Sequence, residues 1–185
     1  GLTYKTVADS WGTANLLWSV KDSGGTANGG DVDTLIETLA INVVSINDAP
    51  ELLAGAPAAI TANEDSANTT AVSLGLGGLD YGPGGGTAEN TQELTFKLTS
   101  IPAFVTLFKA DGLTAVVVDT ALGLADLKGL TYKTVPDANG ASTIVWSVQD
   151  DGGTDNGGVD TLAQTLSITI DPLNDAPTGQ ADSYN

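Results

Sequence analysis

The sequence predicts an all-β protein, built of Greek-key antiparallel β-sandwich repeats in tandem. Three observations carry the prediction. Apolar residues alternate with period two, the spacing of a strand with one face buried. The alternating runs are rich in β-branched and aromatic residues and are separated by Gly, Asp and Asn clusters. The opening of the chain also returns near its end. "GLTYKTVADSWGTANLLWSVKDSGGTANGG" from Gly1 matches "GLTYKTVPDANGASTIVWSVQDDGGTDNGG" from Gly129 at 19 of 30 positions. After one extra residue, Asp31, the match resumes at Val32 and Val159 with 11 of 19 identical. It ends on "NDAP" in both copies, Asn47–Pro50 and Asn174–Pro177. A unit of about 127 residues therefore recurs, the size of a whole domain rather than of a solenoid coil. Residues 1–50 are the back part of one unit, 51–177 a complete unit, and 178–185 the start of a third.

The elements of the complete unit follow in order. Strands are expected at 58–63 and 69–76. "ELTFKL" puts Leu94, Phe96 and Leu98 on one face. Further strands are expected at 103–108 and 113–119. A short helical stretch is expected over Thr120–Lys128 ("TALGLADLK"). Three strands close the unit, at 129–135, 141–149 and 161–170. "TIVWSV" turns Ile144, Trp146 and Val148 inward, as Leu16, Trp18 and Val20 do in the first copy. "TLSITI" does the same with Leu166, Ile168 and Ile170. Seven or eight short strands with turn chemistry between them read as a sandwich. Trp146 and Tyr132 alternate in phase with aliphatic neighbours and read as core or rim aromatics. The first 50 residues hold only three strands. Alone they would expose Leu16, Trp18 and Leu39, an aggregation-prone edge that an upstream half or another chain must cover.

Composition narrows the function. There are 23 Asp and Glu against 6 Lys and no Arg, a net charge of -17. Such a surface repels nucleic acid and anionic lipid and suits polyvalent cations. The chain has no Cys, hence no disulfide or zinc–thiolate site, and no His, the commonest general base. No run approaches the ~20 apolar residues of a membrane span. No signal peptide is visible, and the chain opens on Gly1, so it reads as a segment of something longer.

Strand direction distributes the acidic loops. The last three strands alternate in direction. The loop containing "DDGGTDNGG" then lies at the pole opposite the closing "NDAP", while "PDANG" lies beside it. "NED", Asn63–Asp65, begins 13 residues after Pro50, a reach of roughly 43 Å at ~3.3 Å per residue. That carries it to the C-terminal pole, and the returning strand places "GGLDYGPGGG" at the N-terminal pole. The first junction thus collects Asp9, Asn47, Asp48, Asp80, Asp150 and Asp151. The second collects Glu64, Asp65, Asp137, Asp171, Asn174 and Asp175. Asp and Asn beside Gly also simply make turns, and a single loop of this kind needs no metal. Pooled at a junction, the same groups repel one another unless a cation sits between them. An all-oxygen set with several carboxylates suits calcium, which takes 6–8 ligands flexibly. "GGTDNGGVD" lacks the Lys-Ser/Thr of a phosphate-binding loop and is not a tandem nonapeptide β-roll.

"LTYKTVPDANGASTIVWSVQDDGG…VDTLAQTLSITIDPLNDAP" resembles the back half of bacterial cadherin-like repeats, which occur in giant surface adhesins and other large secreted proteins. "DPLNDAP" is similar to the Asp/Asn-rich cadherin linker, and Glu64 corresponds to the acidic residue ending the first strand. The resemblance implies a cadherin/Ig-like sandwich whose interdomain calcium ions stiffen the string. The unit here is longer than the usual repeat. Val44-Ser45 stands where the second copy has Asp171-Pro172, so fewer ions are expected at the first junction. The expected function is a structural extender of an extracellular, cell-surface adhesin or secreted fibre. Its partners are neighbouring repeats, with an extracellular glycan, protein or like subunits as further partners; nucleic acid and membrane insertion are excluded. The alternatives are a calcium-dependent glycan- or peptide-binding module, for which Tyr81 is the lone candidate aromatic, and a subunit of a self-assembling filament. Catalysis is not expected, since His and Cys are absent and most acids fall in turns.

Overall fold

The computed structural model describes residues 1–29, 34–177 and 179. Asp31 and the opening of the third repeat lie outside the described residues. The strands are β1 (Gly12–Lys21), β2 (Thr34–Val43), β3 (Glu51–Ala54), β4 (Ile60–Asn63), β5 (Val72–Ser73), β6 (Asp80–Gly82), β7 (Thr95–Ser100), β8 (Val105–Phe108), β9 (Ala115–Val116), β10 (Ala121–Leu122), β11 (Thr131–Thr134), β12 (Gly140–Gln149) and β13 (Thr161–Asp171). One five-residue helix, α1 (Leu124–Lys128), follows β10. No described helix is long and apolar enough to cross a membrane.

Residues 51–171 form a β-sandwich. One sheet has the order β10-β7-β12-β13-β4 and the other β5-β11-β8-β9. All pairings are antiparallel except β4 with β13, which run parallel with Asn63 opposite Asp171. That pairing brings the end of the four-residue β4 beside the end of β13, at the C-terminal pole. The alternation read from sequence is the inward face of the larger sheet. Phe96, Leu98, Ile144, Trp146, Val148, Leu166, Ile168 and Ile170 are all buried. Leu107, Val116 and Tyr132 face them from the smaller sheet. At ~25 cal/mol per Å² of apolar surface, this core dominates the stabilisation of the unit.

Several elements depart from the sequence expectation. The strands expected at 69–76 and 113–119 shrink to β5 and β9, two residues each. The stretch Thr120–Lys128 splits at Gly123 into β10 and α1, because Ala121 and Leu122 find ladder partners on β7. β3 pairs with β6 in a ribbon at the N-terminal pole that periodicity did not announce, each strand having only three or four residues.

The first 50 residues form one hairpin, β1–β2, rather than three strands. Its register copies that of β12–β13: Trp18 stands opposite Glu37 as Trp146 stands opposite Gln164. The missing strand is instructive. "GLTYKTV" occurs at 1–7 and again at 129–135. In the second place it supplies β11, paired with β5 and β8, and buries Leu130 and Tyr132. In the first place no strand lies beside it, and Leu2 and Tyr4 are exposed. Backbone groups without a ladder partner bond to water instead, so local propensity alone does not make the strand.

Candidate functional site

The acidic residues gather at the two poles of the sandwich. At the C-terminal pole, carboxylate oxygens of Asp65, Asp137 and Asp175 lie within 4.8 Å of one another. Three elements bring them together. Asp65 follows β4, Asp137 sits in the β11–β12 turn, and Asp175 follows β13. Asp65 and Asp137 adopt positive φ, 64° and 55°, a conformation Asp tolerates better than most residues. Asp9, the counterpart of Asp137 in the first copy, has the same φ of 55°.

Glu64 anchors this pole. It is buried, and its two oxygens accept hydrogen bonds from the Leu173 amide (2.7 Å) and the Asn139 side chain (3.1 Å). Its own amide donates to the Asp171 carbonyl at 2.9 Å. It therefore ties the first strand, the β11–β12 turn and the exit of β13 to one point. Partial desolvation raises the Asp175 carboxyl above its ordinary pKa, and repulsion from Asp137, Asp65 and Glu64 adds to it. The donor set is oxygen alone, which suits a hard divalent cation. Asn174 turns away and donates to the Asp175 carbonyl. Asp171 is exposed and contributes its backbone.

The N-terminal pole is arranged differently. Asn47 reaches into it from the linker. Its side-chain NH₂ donates to Asp150 Oδ1 (2.9 Å) and to the Val159 carbonyl (2.8 Å). Its side-chain oxygen accepts from Gln92 (2.7 Å), and its backbone carbonyl accepts from the Val159 amide (2.9 Å). Asp48 donates its backbone N–H to both oxygens of Glu89, at 3.1 and 3.2 Å. Glu89 and Asp150 are buried, with 3% and 4% of their surface exposed. Asp150 Oδ2 and Gln92 Oε1 have no hydrogen-bond partner among the described residues. Burial raises the pKa of Glu89; the bond from Asp48 opposes this, and repulsion from Asp48, Asp150 and Asp9 adds to it.

Not every predicted residue joins these groups. Asp80 lies exposed on β6, opposite Ala54. Asp151 accepts the Glu93 amide at 3.0 Å. Glu89 and Gln92 were absent from the sequence-derived set, which ended the N-terminal loop at Gly86. Their signal was faint: the Gly-rich stretch continues at the same pole and ends in an acid and an amide. Tyr81, the candidate aromatic for sugar stacking, is buried against Phe96 with ring centroids 5.4 Å apart. It presents no face to a ligand.

No protein-family model matches the sequence, and no curated protein matches it.

Proposed function

We propose that the chain is a structural extender segment of a bacterial cell-surface adhesin or secreted fibre, built of cadherin-like repeats whose junctions are stiffened by calcium. One observation carries the reading: the convergence of Asp65, Asp137 and Asp175 at the pole where β13 ends. Three carboxylates held that close repel one another, and a divalent cation would turn the repulsion into coordination. The buried Glu64 keeps the turn and the strand end in place with or without an ion. The net charge of -17 suits a polyvalent cation and disfavours nucleic acid.

Titration calorimetry on the chain tests the reading. Calcium should bind with a stoichiometry of at least one, and Asp137→Asn together with Asp175→Asn should abolish that site. Absence of binding at millimolar calcium would sink the proposal.

A further inference from the structure

We propose that the N-terminal pole of the 51–177 unit is a recognition seat for the segment Asn-Asp-Ala-Pro, read by direct hydrogen bonds. The inference goes beyond the calcium reading and holds whether or not that reading survives.

The chain carries the tetrapeptide twice in two different states. Asn47–Pro50 is seated: Asn47 and Ala49 are half-buried and Pro50 is buried. Asn174–Pro177 meets no such surface among the described residues: all four residues are exposed there, and the Asn174 side chain donates to the Asp175 carbonyl. The two tetrapeptides are identical, and the first has the 51–177 unit after it. That unit offers the surface that seats it.

That surface reads the Asn47 side-chain amide and backbone carbonyl. The carboxylate of Asp150 and the Val159 carbonyl accept from the amide NH₂, Gln92 donates to the amide oxygen, and Val159 N–H meets the backbone carbonyl. Only a primary amide has both the donors and the acceptor this set requires. An aspartate at position 47 would set two carboxylates against each other and leave the Val159 carbonyl without its donor. Asp150 is itself held in place by the Gly152 amide, which donates to the same Oδ1 at 2.9 Å. Glu89 then fixes the next residue through its backbone.

Two glycines make room for the segment. A Cβ on Gly152 would overlap the Asn47 side-chain oxygen and the Gln92 amide. A Cβ on Gly84, where φ is +89°, would overlap the Ala49 carbonyl. The loop carrying Gly84, Glu89 and Gln92 therefore closes over the linker and does more than reverse the chain. A repeat with the same pole is the partner that Asn174–Pro177 fits.

Amide hydrogen exchange on the intact chain in EDTA tests this. Val159 and Asp48 amides should exchange at least about a hundredfold more slowly than in a free peptide, because both are bonded across the junction. Asn47→Ala and Gly152→Ala should each speed Val159 exchange about tenfold or more, while core amides such as Val148 stay protected. A chain extended after Pro177 by a second copy of residues 51–177 should show two protected sets. Fast exchange of Val159 and Asp48 in wild type, or protection that appears only with calcium, overturns the direct seat. In the latter case the calcium reading stands. A single protected set in the extended chain would overturn the seat as a general property of the repeat.

Discussion

The indole N–H of Trp146 donates to the hydroxyl of Tyr81 at 3.2 Å inside the core. Trp146 lies on the larger sheet, and Tyr81 lies in the ribbon at the N-terminal pole. The bond satisfies the one polar atom that burial of the indole would otherwise strand. Tyr81→Phe keeps the ring packing but leaves that N–H unpaired. It should cost about 1–3 kcal/mol in denaturant unfolding. An unchanged midpoint would mean that the bond contributes nothing net.

The two copies of the Trp motif offer an internal control. Trp146 is fully buried, whereas its counterpart Trp18 is 43% exposed. Trp146→Ala should cost roughly 3–5 kcal/mol, the range for a buried large aromatic. Trp18→Ala should change the main unfolding transition by about 1 kcal/mol or less. Equal costs would show that the hairpin's apolar face is covered in solution.

The strands of the sandwich were legible because one face is buried. Phe96, Leu98, Ile144, Trp146, Val148, Leu166, Ile168 and Ile170 announce it by alternation. The pole of Asp65 and Asp137 was legible in part, because successive antiparallel strands must alternate direction, although residues 51–63 run as two short strands, β3 and β4, and not as one extended reach. Two features were not. "GLTYKTV" becomes a strand only beside partners, which local sequence does not encode. Glu89 and Gln92 carry no periodic signal, and their role arises from the long-range closure of a loop on Asn47 and Asp48.

Acid–base behaviour should set a stability optimum on the acid side of neutrality in the absence of metal. Glu89 and Asp175 have raised folded-state pKa values, Glu89 chiefly by burial. Their contribution is present below the unfolded carboxylate pKa and is lost as pH rises through the folded value. Asp111 is the opposite case. The Thr114 hydroxyl and amide, with the Leu113 amide, hold it down to about 2. Its contribution is present above the unfolded pKa and is lost as pH falls toward that value. Melting temperature in EDTA should therefore fall at low pH, where Asp111 and Asp160 take up protons, and fall again as pH rises through the raised Glu89 and Asp175 values. Glu89→Gln should flatten part of that second decline, and Asp175→Asn another part. A curve that rises steadily to pH 7 would contradict the assignment.

Calcium should reverse the neutral-pH decline at the C-terminal pole. The ion competes with protons for Asp175, whose carboxyl is raised by desolvation and by its acidic neighbours, so its advantage grows as that group ionises. A ligand binding only the folded state adds RT ln(1 + [L]/Kd), about 2.7 kcal/mol at a hundredfold excess over Kd. Melting at pH 7 should rise on adding millimolar calcium, and much less at pH 4, where the Asp175 carboxyl is partly protonated. Glu64→Gln provides a control for site integrity. Glu64 lies outside the converging trio of carboxylates, so its loss of charge should weaken calcium stabilisation less than Asp137→Asn does. High monovalent salt separates coordination from simple screening, which acts over about 8–10 Å near physiological ionic strength. Coordination persists in 0.5 M NaCl at fixed calcium, whereas a screening effect is already saturated there. Identical melting with and without calcium in that salt would leave the three carboxylates as turn residues that tolerate one another.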